Sequence, residues 1–407
     1  MPLILGAQSA SAGAFTVDNS CMFNGVDTYL SRTSSAAAPT NAYKATCSFW
    51  VKQCDPVPAS QRYMFYTNGA SSPYVQIQCP DSNGKLMIQD YISGGSTTDL
   101  VTTQVLRDPG AWMHVVYSYD STPATPSVSS IKVFINGAQV TDFTTETYPS
   151  QNTATKLTAA SQAYPIGVHA GTSAQWFDAY LAEYMVVDGQ ALDATDFGEF
   201  NEDSPTIWQP KDISGITLGA QGFYLNFADS TDLGKDAGAN GFDWTSNNIT
   251  ALNQMTDTPT NNFPTMNPLV SYYSSSTLSE GNLKVAWNSD GGAQMLGNMG
   301  LTAGKWYWEW FMTDMADDYL RIGVTDAVPT ADPAYLGAYT NDNYCNGSYG
   351  NYSYQGSWYN DDDGGTAYGI AWQSGAADGK PMSIALDLDN NKIYIALDGT
   401  WMNSADP

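Results

Sequence analysis

The side chains of this chain that could do chemistry are clustered carboxylates, two imidazoles and rows of aromatic rings. Two carboxylates about 5 Å apart can hydrolyse a glycosidic bond, and Glu199, Glu202 and Asp203 stand close in sequence. They follow a short helical signal near Pro205 and read as a solvated acidic loop. The two histidines, His114 and His169, come with no nucleophile motif, so a triad has no support. His114 alternates with Trp112 on a strand pattern, the place of a sheet residue with its hydrogen bonds satisfied. No glycine-rich phosphate loop opens a helix. Asp361, Asp362 and Asp363 run into Gly364 and Gly365, offering the oxygen ligands that Ca²⁺ takes. They lack a fixed ligand spacing and read as a hairpin tip, so no cofactor is expected and Ca²⁺ is the one ion to test.

The stretch most like a contact surface is Tyr344, Tyr349, Tyr352, Tyr354, Trp358 and Tyr359, set among Asn, Ser and Gly. Rigid rings amid small polar residues make contact area at low entropy cost. The same rings fit strands whose aromatics fill a core. Both readings stand, core first and ligand contact second.

The elements that must carry these residues are strands. Charged residues are 14% of the chain and aromatics 13%, with 12 Trp and 26 Tyr. Disordered chains are poor in such rings. Strands favour Tyr, Trp, Thr and Val, and turns favour Gly, Asn and Asp. Alternation marks strands at Cys47–Lys52, Trp112–Tyr119, Ile131–Ile135, Tyr180–Val187, Gly304–Phe311, Ser383–Leu388 and Lys392–Leu397. Asn136-Gly137, Asp188-Gly189 and Asp398-Gly399 are turn signals. The one helical signal is short: Asp193 as N-cap, Asp196 three residues on, and Leu192 with Phe197 as a staple.

The net charge is −26, from 41 acidic and 15 basic residues. That repels phosphate backbones and anionic membranes, so neither nucleic acid nor membrane insertion is expected. Cys21, Cys47, Cys54, Cys79 and Cys345 are odd in number, and no metal-type spacing appears. Cys47 and Cys54 could pair, but free thiols packed as small apolar residues are the preferred reading. Residues 1–14 begin Met-Pro-Leu-Ile-Leu-Gly-Ala and carry no cation before Arg32. They read as an arm rather than a secretory signal, and are far too short an apolar run to span a bilayer.

Phe23 to Leu30, Phe49-Trp50-Val51, Trp112 to Val115, Val133 to Gly137 and the strand from Phe177 to Gly189 resemble laminin-G-like, concanavalin A-like domains over residues 15–205. Hydrolases of that fold set their carboxylates on one strand face as Glu-x-Asp-x(x)-Glu; this chain has no such run. Gly304 to Glu309, Ile322 to Val324, Tyr368-Gly369, Ile384 to Asp389 and Tyr394 to Gly399 resemble a SPRY domain over 281–407 that stops short of the family's last strands. Between them, 206–280 reads as a loop-rich connector. The order of parts resembles structural proteins of marine tailed phages. The resemblance implies a non-enzymatic virion component of a tail fibre or surface appendage, made in the host cytoplasm. It implies contacts with other copies of itself, as a trimer, with other virion proteins, and with host-surface glycan. The alternatives are a secreted glycan-binding lectin and, behind it, a glycan-degrading enzyme. The expected fold class is all-β: two antiparallel sandwiches in tandem.

Overall fold

A computed structural model describes residues 15–67, 74–92, 95–169, 175–272, 276–287, 294–314, 321–325, 349–352, 357–360, 363–367, 377–404 and 407. The arm at 1–14 lies outside them. The chain is all-β, as the alternation predicts. It divides into two compact units: Met1–Pro268 with Leu278–Lys284, and Leu269–Thr277 with Val285–Pro407. The division places 206–268 with the first sandwich.

In chain order the first unit holds β1 (Ser20–Asn24), β2 (Tyr29–Thr33), β3 (Lys44–Gln53), β4 (Phe65–Tyr66), β5 (Tyr74–Gln78), β6 (Lys85–Ile92), β7 (Gly95–Val105), β8 (Met113–Asp120) and β9 (Ile131–Ile135). It continues with β10 (Ala138–Val140), β11 (Phe143–Thr147), β12 (Ala163–Ile166), β13 (Asp178–Asp188), β14 (Gly198–Phe200), β15 (Trp208–Pro210), β16 (Phe223–Leu225), β17 (Thr245–Asn247) and β18 (Gln254–Met255). One sheet runs β10-β9-β8-β3-β13-β1-β18, with β16 also on β13. The other runs β11-β7-β6-β5-β4-β12-β2-β17. The stretch read as a connector thus supplies β16, β17 and β18, giving edge pairing to both sheets.

The period-two pattern explains the packing. On β3, Cys47, Phe49 and Val51 enter the core between the sheets with Tyr117, Leu181, Tyr184, Ile77 and Ile88. Trp50 faces the other way, into a second cluster with Trp112, Val116, Phe134, Tyr180 and Met185. Cys47 and Cys54 fall in different clusters, on opposite faces of the sheet, so they cannot pair. Cys21, Cys47, Cys54 and Cys79 are buried free thiols. At the β9–β10 hairpin Asn136 (φ 49°) and Gly137 (φ 79°) take the left-handed conformations a two-residue turn needs. The predicted helix is a single 3₁₀ turn, Ala194–Asp196, with Asp196 Oδ2 accepting the Asp193 amide at 2.9 Å.

β19 (Met266–Tyr272), β20 (Ser276–Ser279), β21 (Lys284–Trp287) and β22 (Gln294–Gly297) follow. The second unit then has β23 (Lys305–Met312), β24 (Arg321–Val324), β25 (Tyr349–Tyr352), β26 (Ser357–Asn360), β27 (Asp363–Ala367), β28 (Lys380–Asp387), β29 (Lys392–Leu397) and β30 (Thr400–Trp401). Two antiparallel sheets form, β23-β28-β29-β30 and β24-β25-β26-β27. Their shared cluster joins Ile322 of β24 to Met382, Ile384, Ile395 and Leu397 of β28 and β29. On β23 the rings divide by face: Trp308 and Trp310 pack on that cluster, while Tyr307 and Phe311 are exposed. Trp401 of the edge strand β30 pairs back on β29 opposite Ala396 and is half-buried.

Candidate functional site

Each sheet of the first unit has a face turned away from the core. On the first sheet that face is covered by the protein itself. Ala194, Phe197, Trp208, Ile213 and Leu218 pack over Trp50, Val116, Phe134, Met185 and Val187. His114 lies opposite Trp50 in register. Its ring stacks between Trp50 (4.7 Å, 17°) and Trp208 (6.1 Å, 19°). The Trp208 indole donates to His114 Nδ1 at 3.0 Å, and Ser48 Oγ is 2.8 Å from Nε2. An indole N–H only donates, so Nδ1 is bare and the proton of the neutral ring sits on Nε2, which donates to Ser48. A base that activates serine needs the opposite tautomer. This Ser–His pair is therefore a lock, and burial pushes the imidazole down to about 3, keeping it neutral. Trp208 sits against two glycines: a Cβ would come within 2.4 Å of its ring from Gly137 and 2.6 Å from Gly198.

Two acids on the same face are also tied. The β13 register against β3 shifts between Ala182 and Met185, with Glu183 in the bulge at φ 49°. Its carboxyl accepts from the Tyr224 hydroxyl at 2.6 Å, and burial pushes it up to about 7. Asp257 bonds Lys52 Nζ at 2.7 Å through one oxygen and the Trp112 indole at 2.8 Å through the other. Lys52 is 1% exposed and also donates to Asn262 Oδ1 and the Phe263 carbonyl. All three ammonium protons are matched, and the 257–263 loop is pinned on the sheet.

The outward face of the second sheet is different. Antiparallel partners share a face. Tyr74 stands opposite Tyr91, Gln76 opposite Gln89, and Tyr66 opposite Gln76. Asp99 of β7 stands opposite Gln89. The rings of Tyr66 and Tyr74 stack at 5.4 Å and 23°, and those of Tyr74 and Tyr91 at 5.1 Å and 8°. His169 lies 4.3 Å from Tyr66, and Tyr63 meets both edge-on. Gln76 donates to Gln89 Oε1.

Tyr74, Gln89, Tyr91 and Asp99 are half-buried, their outer edges in solvent. Burial with Tyr74 and Tyr63 pushes the Tyr66 phenol up to about 12, and burial with Tyr91 and Asp99 raises Tyr74, so both stay protonated. Two polar groups of this face lack a partner: Asp99 Oδ1, and both amide atoms of Gln78, which is fully buried. The face offers aromatic carbon for C–H groups, phenol protons to donate and carboxylate or amide oxygens to accept. That combination suits a polyhydroxylated ligand.

The expected contact residues lie in the second unit. Tyr349 and Tyr352 are on β25, and Trp358 and Tyr359 on the paired β26. The side chains of these four, and Tyr344 and Tyr354 altogether, lie outside the described residues. So do Asp361 and Asp362; Asp363, Gly364 and Gly365 open β27. Among the described residues no cluster of His, Cys, Asp or Glu could hold a metal. Glu199, Glu202 and Asp203 are exposed; Glu202 and Asp203 lie in the loop the sequence predicts, whereas Glu199 sits on β14 opposite Gln209. The tyrosine row of the first unit escapes a sequence reading keyed to dense aromatic stretches. Its signal is the alternation Tyr74-x-Gln76-x-Gln78, with Val75 and Ile77 between, and Gln89-x-Tyr91 following Leu86 and Ile88 on the next strand.

Residues 24–196 match the family described as the concanavalin A-like lectin/glucanases superfamily. Among solved structures, a native heptameric SAP-like pentraxin from Limulus polyphemus is 17% identical with a TM-score of 0.30, covering 44% of this chain and 80% of that one. Domains LG4-5 of the mouse laminin α1 chain are 12% identical with a TM-score of 0.34, covering 98% of this chain and 81% of that one. No curated protein matches the chain. Residues 24–196 thus carry a concanavalin A-like, laminin-G-like domain.

Proposed function

We propose that this chain is a non-enzymatic recognition protein whose first unit binds glycan along the tyrosine row of its second sheet. One observation carries the reading. Tyr66, Tyr74 and Tyr91 form a continuous stack across three strands, beside Gln89 and an Asp99 oxygen without an internal partner. Against catalysis stands the first sheet's covered face, where Glu183 and Asp257 are bonded internally and Ser48–His114 has the wrong tautomer for a base. The test is a titration of the full chain with an immobilised glycan panel, repeated with Tyr74→Ala and Tyr91→Ala. Loss of a stacking ring is expected to weaken binding about tenfold or more while the fold is kept. Release of sugar fragments from any bound glycan, or binding unchanged in both variants, sinks the reading.

The finer reading is a virion component, on a tail fibre or surface appendage, that forms trimers and meets other virion proteins and host-surface glycan. Its support is the order of sequence motifs. The second unit's two antiparallel sheets around one cluster suit the SPRY-like half of that reading. Mass measurement of the assembled protein, and its detection in purified particles by peptide mapping, test this part separately. A monomer absent from particles leaves the glycan-binding lectin alone.

A further inference from the structure

Resting on that reading of the tyrosine row, we infer that the site selects uncharged glycans and rejects uronate- or sulfate-bearing ones. The hydrogen-bonding needs of the face come first. Asp99 is half-buried on this face, its Oδ1 enclosed and without an internal partner, so its carboxylate is the acceptor and the charge that a ligand meets beside the row. The neighbouring acceptor, Gln89 Oε1, is taken by Gln76. The phenols of Tyr66 and Tyr74 are held protonated by burial and their neighbours. A ligand that brings hydroxyl groups satisfies both kinds, since a hydroxyl donates to the carboxylate and accepts from a phenol.

Charge comes second. Asp99 lies close enough to Tyr74 to raise its phenol. Two cations of the first unit, Arg62 and Lys85, are committed elsewhere. Arg62 binds Asp55 at 3.2 Å and the Trp176 carbonyl at 3.1 Å. Lys85, at the opposite end of β6 from Tyr91, reaches Thr144 at 3.3 Å. Among the described residues no cation forms an ion pair with Asp99. The chain's net charge of −26 adds a repulsive field for any polyanion. A ligand carboxylate beside Asp99 would meet a like charge and bring no proton at neutral pH.

The experiment uses the full chain and two matched sets of oligosaccharides. One set is neutral hexamers of glucose and mannose in α and β linkages. The other is hexamers of mannuronate, guluronate and galacturonate, with dextran sulfate as the sulfated probe. Affinities are read at 50 and 500 mM NaCl, for the parent chain, Tyr91→Ala and Asp99→Asn. At least one neutral hexamer is expected to bind with little salt dependence and to lose about tenfold in Tyr91→Ala. Asp99→Asn is expected to weaken that hexamer about five-fold, a charged acceptor becoming a neutral one, and to narrow the gap to the uronates. A uronate or sulfated probe that binds as tightly as the best neutral hexamer, and is lost in Tyr91→Ala, overturns the charge selection but leaves the site standing. No binding by either set, or binding unaffected by Tyr91→Ala, removes the site and the selection with it.

Discussion

The two outward faces of the first sandwich are built from the same materials and end in opposite states. Each carries a stack of rings with a histidine in it: Trp50–His114–Trp208 on one, His169–Tyr66–Tyr74–Tyr91 on the other. Each carries amides, hydroxyls and carboxylates. On the first face, chain from the 190–218 and 257–263 stretches lies over the sheet, and together with Tyr224 of β16 it bonds His114, Glu183 and Lys52 internally. Trp208 bonds His114, Tyr224 bonds Glu183, and Lys52 binds Asp257. On the second face the rings stack on one another, and Asp99 and Gln78 keep unmatched atoms. Aromatic and polar residues on a sheet do not by themselves mark a site. What separates the two faces is whether the hydrogen-bonding capacity is already used inside the molecule.

The covered face should break hard when one partner is removed. Lys52→Met leaves Asp257 charged, buried and without its cation; a broken buried pair costs about 3–5 kcal/mol. Trp208→Ala empties the seat between Gly137 and Gly198 and strands His114 Nδ1, for a loss of about 3–5 kcal/mol. Denaturant unfolding of the parent and the two variants measures both. A loss under about 1 kcal/mol in either would mean that the 190–263 cover is loosely held, and the contrast between the faces would vanish.

A smaller effect separates the faces by pH. Glu183 is pushed up to about 7 by burial, above the ordinary glutamate value of 4.5. The folded state therefore binds this proton more tightly than the unfolded chain. The contribution is full below about pH 4.5 and is lost as pH rises through about 7. Asp90 and Asp178, each raised to about 6 by burial, act in the same direction. His114, lowered to about 3, acts oppositely: stability falls as pH drops from about 6.5 toward 3. Glu183→Gln removes one titrating proton, so its stability should differ from the parent's by a slope approaching about 1.4 kcal/mol per pH unit between pH 4.5 and 7. Parallel pH profiles for parent and variant would mean that Glu183 is solvated and the cover open.

The fold was legible where one period ruled a whole strand. Cys47-Ser48-Phe49-Trp50-Val51-Lys52 alternates, and the structure sends Cys47, Phe49 and Val51 one way and Trp50 the other. Asn136-Gly137 predicts the turn because the left-handed conformations at both positions suit those residues. The expected helix shrinks to one 3₁₀ turn, held by the short run Leu192, Ala194 and Phe197 with no further apolar period beyond it. The 206–280 stretch reads as a connector, since its β16, β17 and β18 are two or three residues long, too short for a period to show. Their place is decided by distant partners: Tyr184–Val186 for β16, Ser20 and Cys21 for β18. The tyrosine row was hidden for a related reason. Tyr66, Tyr74, Tyr91 and Asp99 come from four strands, and their adjacency is a property of register. The lysine of the buried ion pair gave no sign either, because Asp257 is 205 residues away.

The smallest effect is the most informative about the open face. Tyr91 is half-buried and, among the described residues, stacks on Tyr74 alone. Removing its ring gives up a single aromatic pair and part of one side chain's burial, about 1 kcal/mol. The hole opens to solvent, so no cavity term is added. Tyr91→Ala should therefore unfold at nearly the parent's denaturant concentration, with the slope of the transition unchanged. Trp208→Ala is the matched control: one stacked ring lost beside a histidine, on the other sheet. A ratio of several-fold between the two losses supports a covered scaffold face and an available binding face. If Tyr91→Ala costs as much as Trp208→Ala, the tyrosine stack holds the second sheet together as Trp208 holds the first. Its rings would then be committed to folding, and a ligand site would have to be sought elsewhere on the chain.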